Sequence, residues 1–195
     1  SNLINVSIYS IYNLVVTGIK KIILAATSGV QSLFGNMLAN KEHEALKKRF
    51  GQFEWMIHTT VTLLFSCTLV LITPFVTVYT KGVIDANYNQ PLFGMLLALA
   101  TAAYCLRLPY NIMVLAAGHY KETQSSAIIE MGINILVSIA LFFQYGLIGV
   151  AIGTFLAMLY RTIYLAYYLS KNIIKYEIND FIKHMVVDGV VLILV

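Results

Sequence analysis

Long apolar runs alternate with short polar segments along this chain. Five of the runs reach the roughly 20 residues that a helix needs to cross the hydrocarbon of a bilayer, and a sixth run begins before the chain ends. The pattern therefore predicts membrane-spanning helices at residues 4–38, 53–79, 91–117, 125–143 and 147–169, and a truncated one at 181–195.

The polar segments between these runs differ in charge. Segments 40–49 and 171–184 are basic and 119–124 carries a lysine, whereas 81–90 balances one lysine with an aspartate and 144–146 has no charge. Because lysine and arginine favour the cytoplasmic side, the first three are predicted to be cytoplasmic loops. Short connections make neighbouring helices antiparallel. The predicted fold is an all-α membrane protein, an up-and-down bundle of five transmembrane helices plus the start of a sixth.

Composition supports the membrane assignment. Of the 195 residues, 59% are hydrophobic and only 11% are charged, with a mean hydropathy of +0.78. A soluble globule of this size could not hide that much apolar surface, so soluble enzymes and nucleic-acid binders are excluded. The net charge of +4 fits basic cytoplasmic loops. The chain has no initiator methionine and stops inside an apolar run, and we expect residues 1–195 to be part of a longer protein.

Five ionisable side chains inside predicted spans are singled out as candidates: Lys20, Lys21, Arg107, Glu130 and Arg161. Placing a charged side chain at the centre of a membrane helix costs about 2.5–3.5 kcal/mol on insertion scales. We therefore expect each of these residues to have a function. Four cations against one acid predict a cationic cavity that receives an anion. Arginine suits bidentate contacts to phosphate, and lysine supplies a point charge.

Other interpretations of these charges stay open. Arg161 has an equal chance of extending along its own helix to the cytoplasmic headgroups. Glu130 is expected to pair with Arg107 or Arg161, and a role in coupling to an ion is the less favoured alternative. Adjacent lysines diverge by about 100° on a helix, so Lys20 and Lys21 can line one cavity only if it is wide.

Polar and helix-breaking residues accompany the charges. Tyr110 and Asn111 share a face with Arg107 in the third span, and Asn134 follows Glu130 by four residues in the fourth. These residues are predicted to form a polar lining. Pro109 in the third span is predicted to kink its helix, as is Pro74 in the second.

Motifs for catalysis are absent from this sequence. His43 lies in a loop without a second histidine at zinc-ligand spacing, and there is neither a nucleophile elbow nor a phosphate-binding loop. The prediction is a protein that is not an enzyme and binds no metal, cofactor or nucleic acid.

The order of several segments resembles a known family. The long first helix opens at 6–12 and closes at 31–39, the basic segment 41–49 follows, and small-residue and glycine-rich segments lie at 106–118 and 146–154. This order resembles the polysaccharide-precursor exporters of the multidrug/oligosaccharidyl-lipid/polysaccharide superfamily, which are MATE-like. The resemblance covers nearly the whole chain, as part of the second half of such a protein.

The resemblance implies one lobe of a two-lobed flippase in the bacterial cytoplasmic membrane. Such a protein moves an undecaprenyl-pyrophosphate-linked oligosaccharide to the outer leaflet during polysaccharide or lipopolysaccharide (O-antigen) synthesis. The partners expected from it are the lipid-linked oligosaccharide, membrane lipid, the first lobe in the remainder of the parent chain, and a coupling ion, either a proton or sodium. Lys20, Lys21, Arg107 and Arg161 match the pyrophosphate by chemistry and depth and not by a shared motif.

Three further functions remain as alternatives. A multidrug or organic-cation extruder of the same superfamily would want an acidic, aromatic cavity. A membrane-embedded transferase would need acidic or histidine groups facing outward. A non-catalytic assembly subunit predicts that every buried charge is paired.

Overall fold

The computed structural model describes residues 2–174 and 178–194, and within these residues every regular element is a helix. The predicted cytoplasmic segment 171–184 therefore lies partly outside the described residues. The helices, in chain order, are α1 (Asn2–Ala26), α2 (Val30–Ala39), α3 (His43–Tyr79), α4 (Pro91–Leu106), α5 (Leu108–Ala116), α6 (Tyr120–Tyr145), α7 (Leu147–Asn172) and α8 (Ile178–Leu194).

The described residues contain five helical segments that are long and apolar enough to cross a membrane, as the sequence predicted. They are α1 with α2, α3, α4 with α5, α6, and α7, and they run from 26 to 37 residues. The protein is therefore all-helical and multi-pass. The sixth predicted segment, 181–195, corresponds to α8 over its described part.

The first predicted span is two helices and not one. Gly29 has φ +86°, a left-handed conformation that ends one helix and begins the next. Just before it, the hydroxyl of Thr27 donates to the carbonyl of Leu24 and that of Ser28 donates to Ala25. These side-chain bonds compete with the helical ladder, and they explain why the helix stops here.

The third predicted span also breaks, at Arg107 between α4 and α5. Pro109 lies in the first turn of α5, where its missing N–H does no harm. The same missing donor leaves the carbonyl of Cys105 without its regular helical partner, so the α4 ladder cannot continue through this point. The predicted interruption at Pro109 thus takes the form of a one-residue break two positions earlier.

Several predicted loops are largely helical. α3 begins at His43, so most of the basic segment 40–49 is helix, and α6 begins at Tyr120, inside the predicted loop 119–124. The reason is visible in α3, where Leu46 and Phe50 are fully buried one turn apart. Apolar residues at helical spacing give a charged segment a buried face, and the helix continues through it.

Helices α6, α7, α4 and α3 pack in a row in that order, and α1 and α8 lie on opposite faces of the row. α6 packs on α7, α7 on α4, and α4 on α3, while α1 contacts α3 and α4, and α8 contacts α3 and α7. α4 lies at the centre, where buried small residues such as Ala98 and Ala102 allow close approach. Tyr104 faces α1 and Leu106 faces the pocket beside α8, so α1 and α8 lie on opposite sides of α4.

α6 and α7 form an antiparallel hairpin with glycines at the contact. Gly149 of α7 lies against the backbone of Leu141 in α6, and Gly153 lies against Ser138. α6 packs mainly against α7, and its outer face is apolar and exposed. The hairpin therefore depends on close backbone contact more than on a large buried core.

We expect Gly149→Ala to destabilise this hairpin. The added Cβ would lie 2.5 Å from the carbonyl carbon and oxygen of Leu141, which are backbone atoms that cannot move aside. The expected cost in the free energy of unfolding is about 1–3 kcal/mol, measured by thermal unfolding in detergent micelles. Gly132→Ala in α6 is the matched control, because nothing lies within 4 Å of its added Cβ. It should be neutral or stabilising, and equal losses in the two variants would contradict the prediction.

Candidate functional site: a cationic groove

A polar groove of about 180 Å³ lies between α1, α4 and α7. Its α1 side comes from residues spaced four and three apart, which share one face of a helix, and its α4 side comes from residues three apart. We call it the cationic groove, and its polar lining residues are Asn13, Thr17, Lys20, Thr101, Tyr104 and Thr154.

Two cations contact one aromatic ring at the groove. The Nζ of Lys20 lies 3.6 Å from the centre of the Tyr104 ring, and the guanidinium carbon of Arg107 lies 4.6 Å from it. Both distances are within the range of cation–π attraction. Tyr104 therefore holds side chains from α1 and from the α4–α5 break at the same place.

A single carboxylate connects Arg107 to a third cation. Nη1 of Arg107 lies 2.6 Å from one oxygen of Glu130, and Nε of Arg161 lies 3.9 Å from the other. Each of these side chains is at least 83% buried. The predicted ion pair of Glu130 is present with both arginines, although only the pair with Arg107 is hydrogen-bonded.

Positive charge therefore exceeds negative charge at this site. Arg107 and Arg161 both approach Glu130, and Lys20 meets Arg107 at the Tyr104 ring, so these four residues carry three positive charges and one negative charge. The Nε and Nη1 atoms of Arg161 are buried and have no hydrogen-bond partner. Arg161 directs its side chain toward Glu130 and does not extend to the surface.

The predicted cavity residues separate into two groups. Lys20 lines the groove and Arg107 meets it at the Tyr104 ring, while Glu130 and Arg161 join Arg107 in an ion-pair cluster beside it. Lys21 lies in neither place, because it is exposed on the outer surface of α1. This is the divergence expected of adjacent residues on a helix, and the groove is too narrow to take both lysines.

The predicted polar lining also separates. Asn134 lies in the α6–α7 contact, where its side-chain oxygen accepts hydrogen bonds from Ser138 at 3.1 Å and from Thr154 at 3.4 Å. Asn111 is half-buried on α5. Tyr110 is fully buried, and its hydroxyl points toward α3 and away from Arg107.

The sequence reasoning missed four buried polar residues. Glu54, His58 and Thr62 lie on α3 and Asp188 on α8, and each is at least 92% buried. A signal was present, since the three α3 residues recur every fourth position on one helical face inside an apolar run. Asp188 is a lone acid in the last apolar run. Counting ionisable residues in the second and sixth predicted spans would have found three of them.

The groove is equipped to bind an anion. Lys20 lines the groove and Arg107 lies against its Tyr104 ring, and ammonium and guanidinium groups are the side chains that bind phosphate oxygens in proteins. No family model, curated protein or solved structure matches this chain significantly. Its function is therefore inferred from its own side chains.

We expect Glu130→Gln to destabilise the protein, because it removes the one carboxylate that compensates these clustered cations. The expected loss in the free energy of unfolding is about 2 kcal/mol or more, measured by thermal unfolding in micelles. Adding Arg161→Met should recover part of it by removing one cation. Glu122→Gln is the matched control, since Glu122 is exposed in the first turn of the same helix. A Glu130→Gln variant as stable as the control would contradict the electrostatic account of this site.

Proposed function

We propose that this chain is one lobe of a flippase that moves an undecaprenyl-pyrophosphate-linked oligosaccharide across the bacterial cytoplasmic membrane. The observation that carries the proposal is the excess of positive charge in the cluster of Lys20, Arg107 and Arg161, which contains one carboxylate, that of Glu130. Buried cations in a membrane are expensive, and an anionic substrate is a reason to keep them. The resemblance of the sequence to polysaccharide-precursor exporters points to the same substrate class.

The depth of the charges suits a headgroup in transit. Arg107 lies about 24 Å from the start of α4, a little past the midpoint of the segment Pro91–Ala116, whose 26 residues span about 39 Å at 1.5 Å per residue. Tyr9 lines the cationic groove and also a second cavity of about 320 Å³ that includes Asn5, Phe142 and Leu147. Under the proposal, the headgroup passes along α1 from the groove to this second cavity, while the lipid tail stays in the bilayer.

The alternatives explain the groove less well. An excess of positive charge repels organic cations, which disfavours a multidrug or organic-cation extruder. An assembly subunit needs no donors left over, yet two nitrogens of Arg161 lack a hydrogen-bond partner. Under the proposal, a second lobe completes the carrier, a proton or sodium ion drives it, and the protein performs no covalent chemistry.

The adjacent lysines provide a sharp test of this function. Lys20→Gln removes a cation from the groove, whereas Lys21→Gln removes an equal charge from the exposed face one residue away. We expect an isoprenyl pyrophosphate to raise the melting temperature of the wild-type chain in micelles through binding to the folded state. Lys20→Gln and Arg107→Gln should reduce that rise at least about fivefold, and Lys21→Gln should leave it unchanged.

A second probe separates binding of the pyrophosphate group from binding of the isoprenyl tail. The uncharged isoprenol of the same length should change the melting temperature equally in the wild-type chain and in Lys20→Gln. Equal rises for pyrophosphate and alcohol, or equal effects of the two lysine substitutions, would refute the groove as the pyrophosphate site.

A further inference from the structure

A second buried polar cluster lies on the other side of the bundle, between α3, α5 and α8. The hydroxyl of Tyr110 donates to Oε1 of Glu54 at 2.5 Å, and it lies 3.1 Å from Nε2 of His58. The other ring nitrogen of His58, Nδ1, lies 2.5 Å from Oδ2 of Asp188. Thr62 donates to the remaining oxygen of Asp188 at 2.8 Å. These five residues form one continuous chain of hydrogen bonds.

The cluster is sealed from solvent. Glu54, His58 and Tyr110 are each at most 1% exposed, and Asp188 is 5% exposed. Among the described residues, His184 of α8 is a further titratable group beside it, with its ring centre 5.3 Å from that of His58. Within the described residues, no three acidic, histidine or cysteine side chains are placed to hold a metal ion, and here the acids contact the tyrosine and histidine directly.

Counting protons shows what the chain of bonds requires. Asp188 is satisfied when Nδ1 of His58 donates to it. Tyr110 has one hydroxyl proton to give, either to Glu54 or to Nε2 of His58. If both carboxylates are ionised and His58 is neutral, the chain is one proton short, and one of its bonds is lost. One bound proton completes it.

The bound proton can occupy two positions, and the chain has the same number of hydrogen bonds in both. It rests on Nε2 of His58 while Tyr110 donates to an ionised Glu54. Alternatively, it rests on Glu54, which donates to the Tyr110 oxygen while the Tyr110 hydroxyl donates to Nε2. Moving between these positions shifts the Glu54 proton to Tyr110 and the Tyr110 proton to His58. The three groups Glu54, His58 and Asp188 carry one net negative charge in both arrangements.

We propose that Glu54, Tyr110, His58 and Asp188 form a binding site for one exchangeable proton, which Tyr110 relays between Glu54 and His58. Releasing the proton breaks a bond in the chain that connects α3 to α5, and Asp188 of α8 joins the same chain through His58. Tyr110 of α5 is three residues from Arg107, so the proton site lies one helical turn from the α4–α5 junction whose Arg107 contacts Tyr104 at the groove. The proton site is argued from this geometry alone. The idea that its proton drives transport rests on the proposed function.

The test reads the two ring nitrogens of His58 directly. The full chain, labelled with ¹⁵N at histidine, is placed in lipid bilayers and studied by solid-state NMR between about pH 4 and about pH 9. His58→Gln identifies the signals among the four histidines. We expect the Nε2-protonated fraction of His58 to change over this range in the wild-type chain.

Two substitutions test the relay. Glu54→Gln imitates the protonated acid, so Tyr110 should donate to His58, and the Nε2-protonated fraction should fall at least about twofold. Tyr110→Phe fits the same buried space without the hydroxyl, and in that background Glu54→Gln should no longer alter His58. Glu44→Gln, exposed in the first turn of the same helix, is the matched control and should have no effect.

The proposal can be overturned by the wild-type chain alone or by the variants. A single protonation state of His58 across the whole range in the wild-type chain would overturn the proposal, as would equal effects of Glu54→Gln and Glu44→Gln. No substrate is present in this experiment, so its result is independent of pyrophosphate binding at the groove. A titrating His58 with no isoprenyl pyrophosphate binding would overturn the proposed function and leave the proton site standing.

Discussion

The carboxylate of Glu130, held between Arg107 and Arg161, is the interaction on which the cationic groove depends. A charge inside a bilayer must find its partner within the protein, because lipid offers none. This carboxylate connects α6 to α7 and to the junction of α4 and α5. α6 has little else to hold it, since it otherwise packs on α7 through glycine contacts such as Gly149 against Leu141. The ion pairs thus help determine how the hairpin sits against the rest of the bundle.

The break at Arg107 separates two polar sites of opposite character. On one side, Arg107 joins Lys20 and Arg161 in a groove with excess positive charge. On the other side, Tyr110 joins Glu54 in a sealed cluster with excess acid. Regular helical geometry sets residues three apart about 60° apart around the axis, so both sites can be built from adjacent turns of one short helix. A movement of α5 would alter the two sites together.

The outer surface follows the rule for a protein in lipid. Large apolar side chains are exposed on α6 and α3, among them Leu136 at 71% and Phe143 at 83% exposure, while Glu54, Arg107 and Glu130 are buried or largely buried within the bundle. Water would make such a surface unstable, whereas lipid tails solvate it without penalty. The same reasoning explains why the exposed apolar faces need no protein partner.

The sequence by itself determined the class of the protein. Apolar runs of spanning length can be satisfied in lipid only as helices, so the five spans followed from hydropathy alone. The sequence also singled out Lys20, Arg107, Arg161 and Glu130 as candidates, because a charge inside an apolar run stands out, and the structure places these four side chains near one another. It overestimated the length of unbroken helix at Gly29, where local hydroxyl bonds and a left-handed residue compete with the helical ladder.

Only the tertiary structure decided which charges meet. Lys20 and Lys21 are equivalent in the sequence, yet one lies at the groove and the other on the surface, since helix rotation is set by packing against neighbours. Glu54 and Asp188 are 134 positions apart in the chain and meet through Tyr110 and His58 only once α3, α5 and α8 are assembled. Pairing between distant segments depends on how helices dock, and a hydrophobic pattern carries no information about that choice.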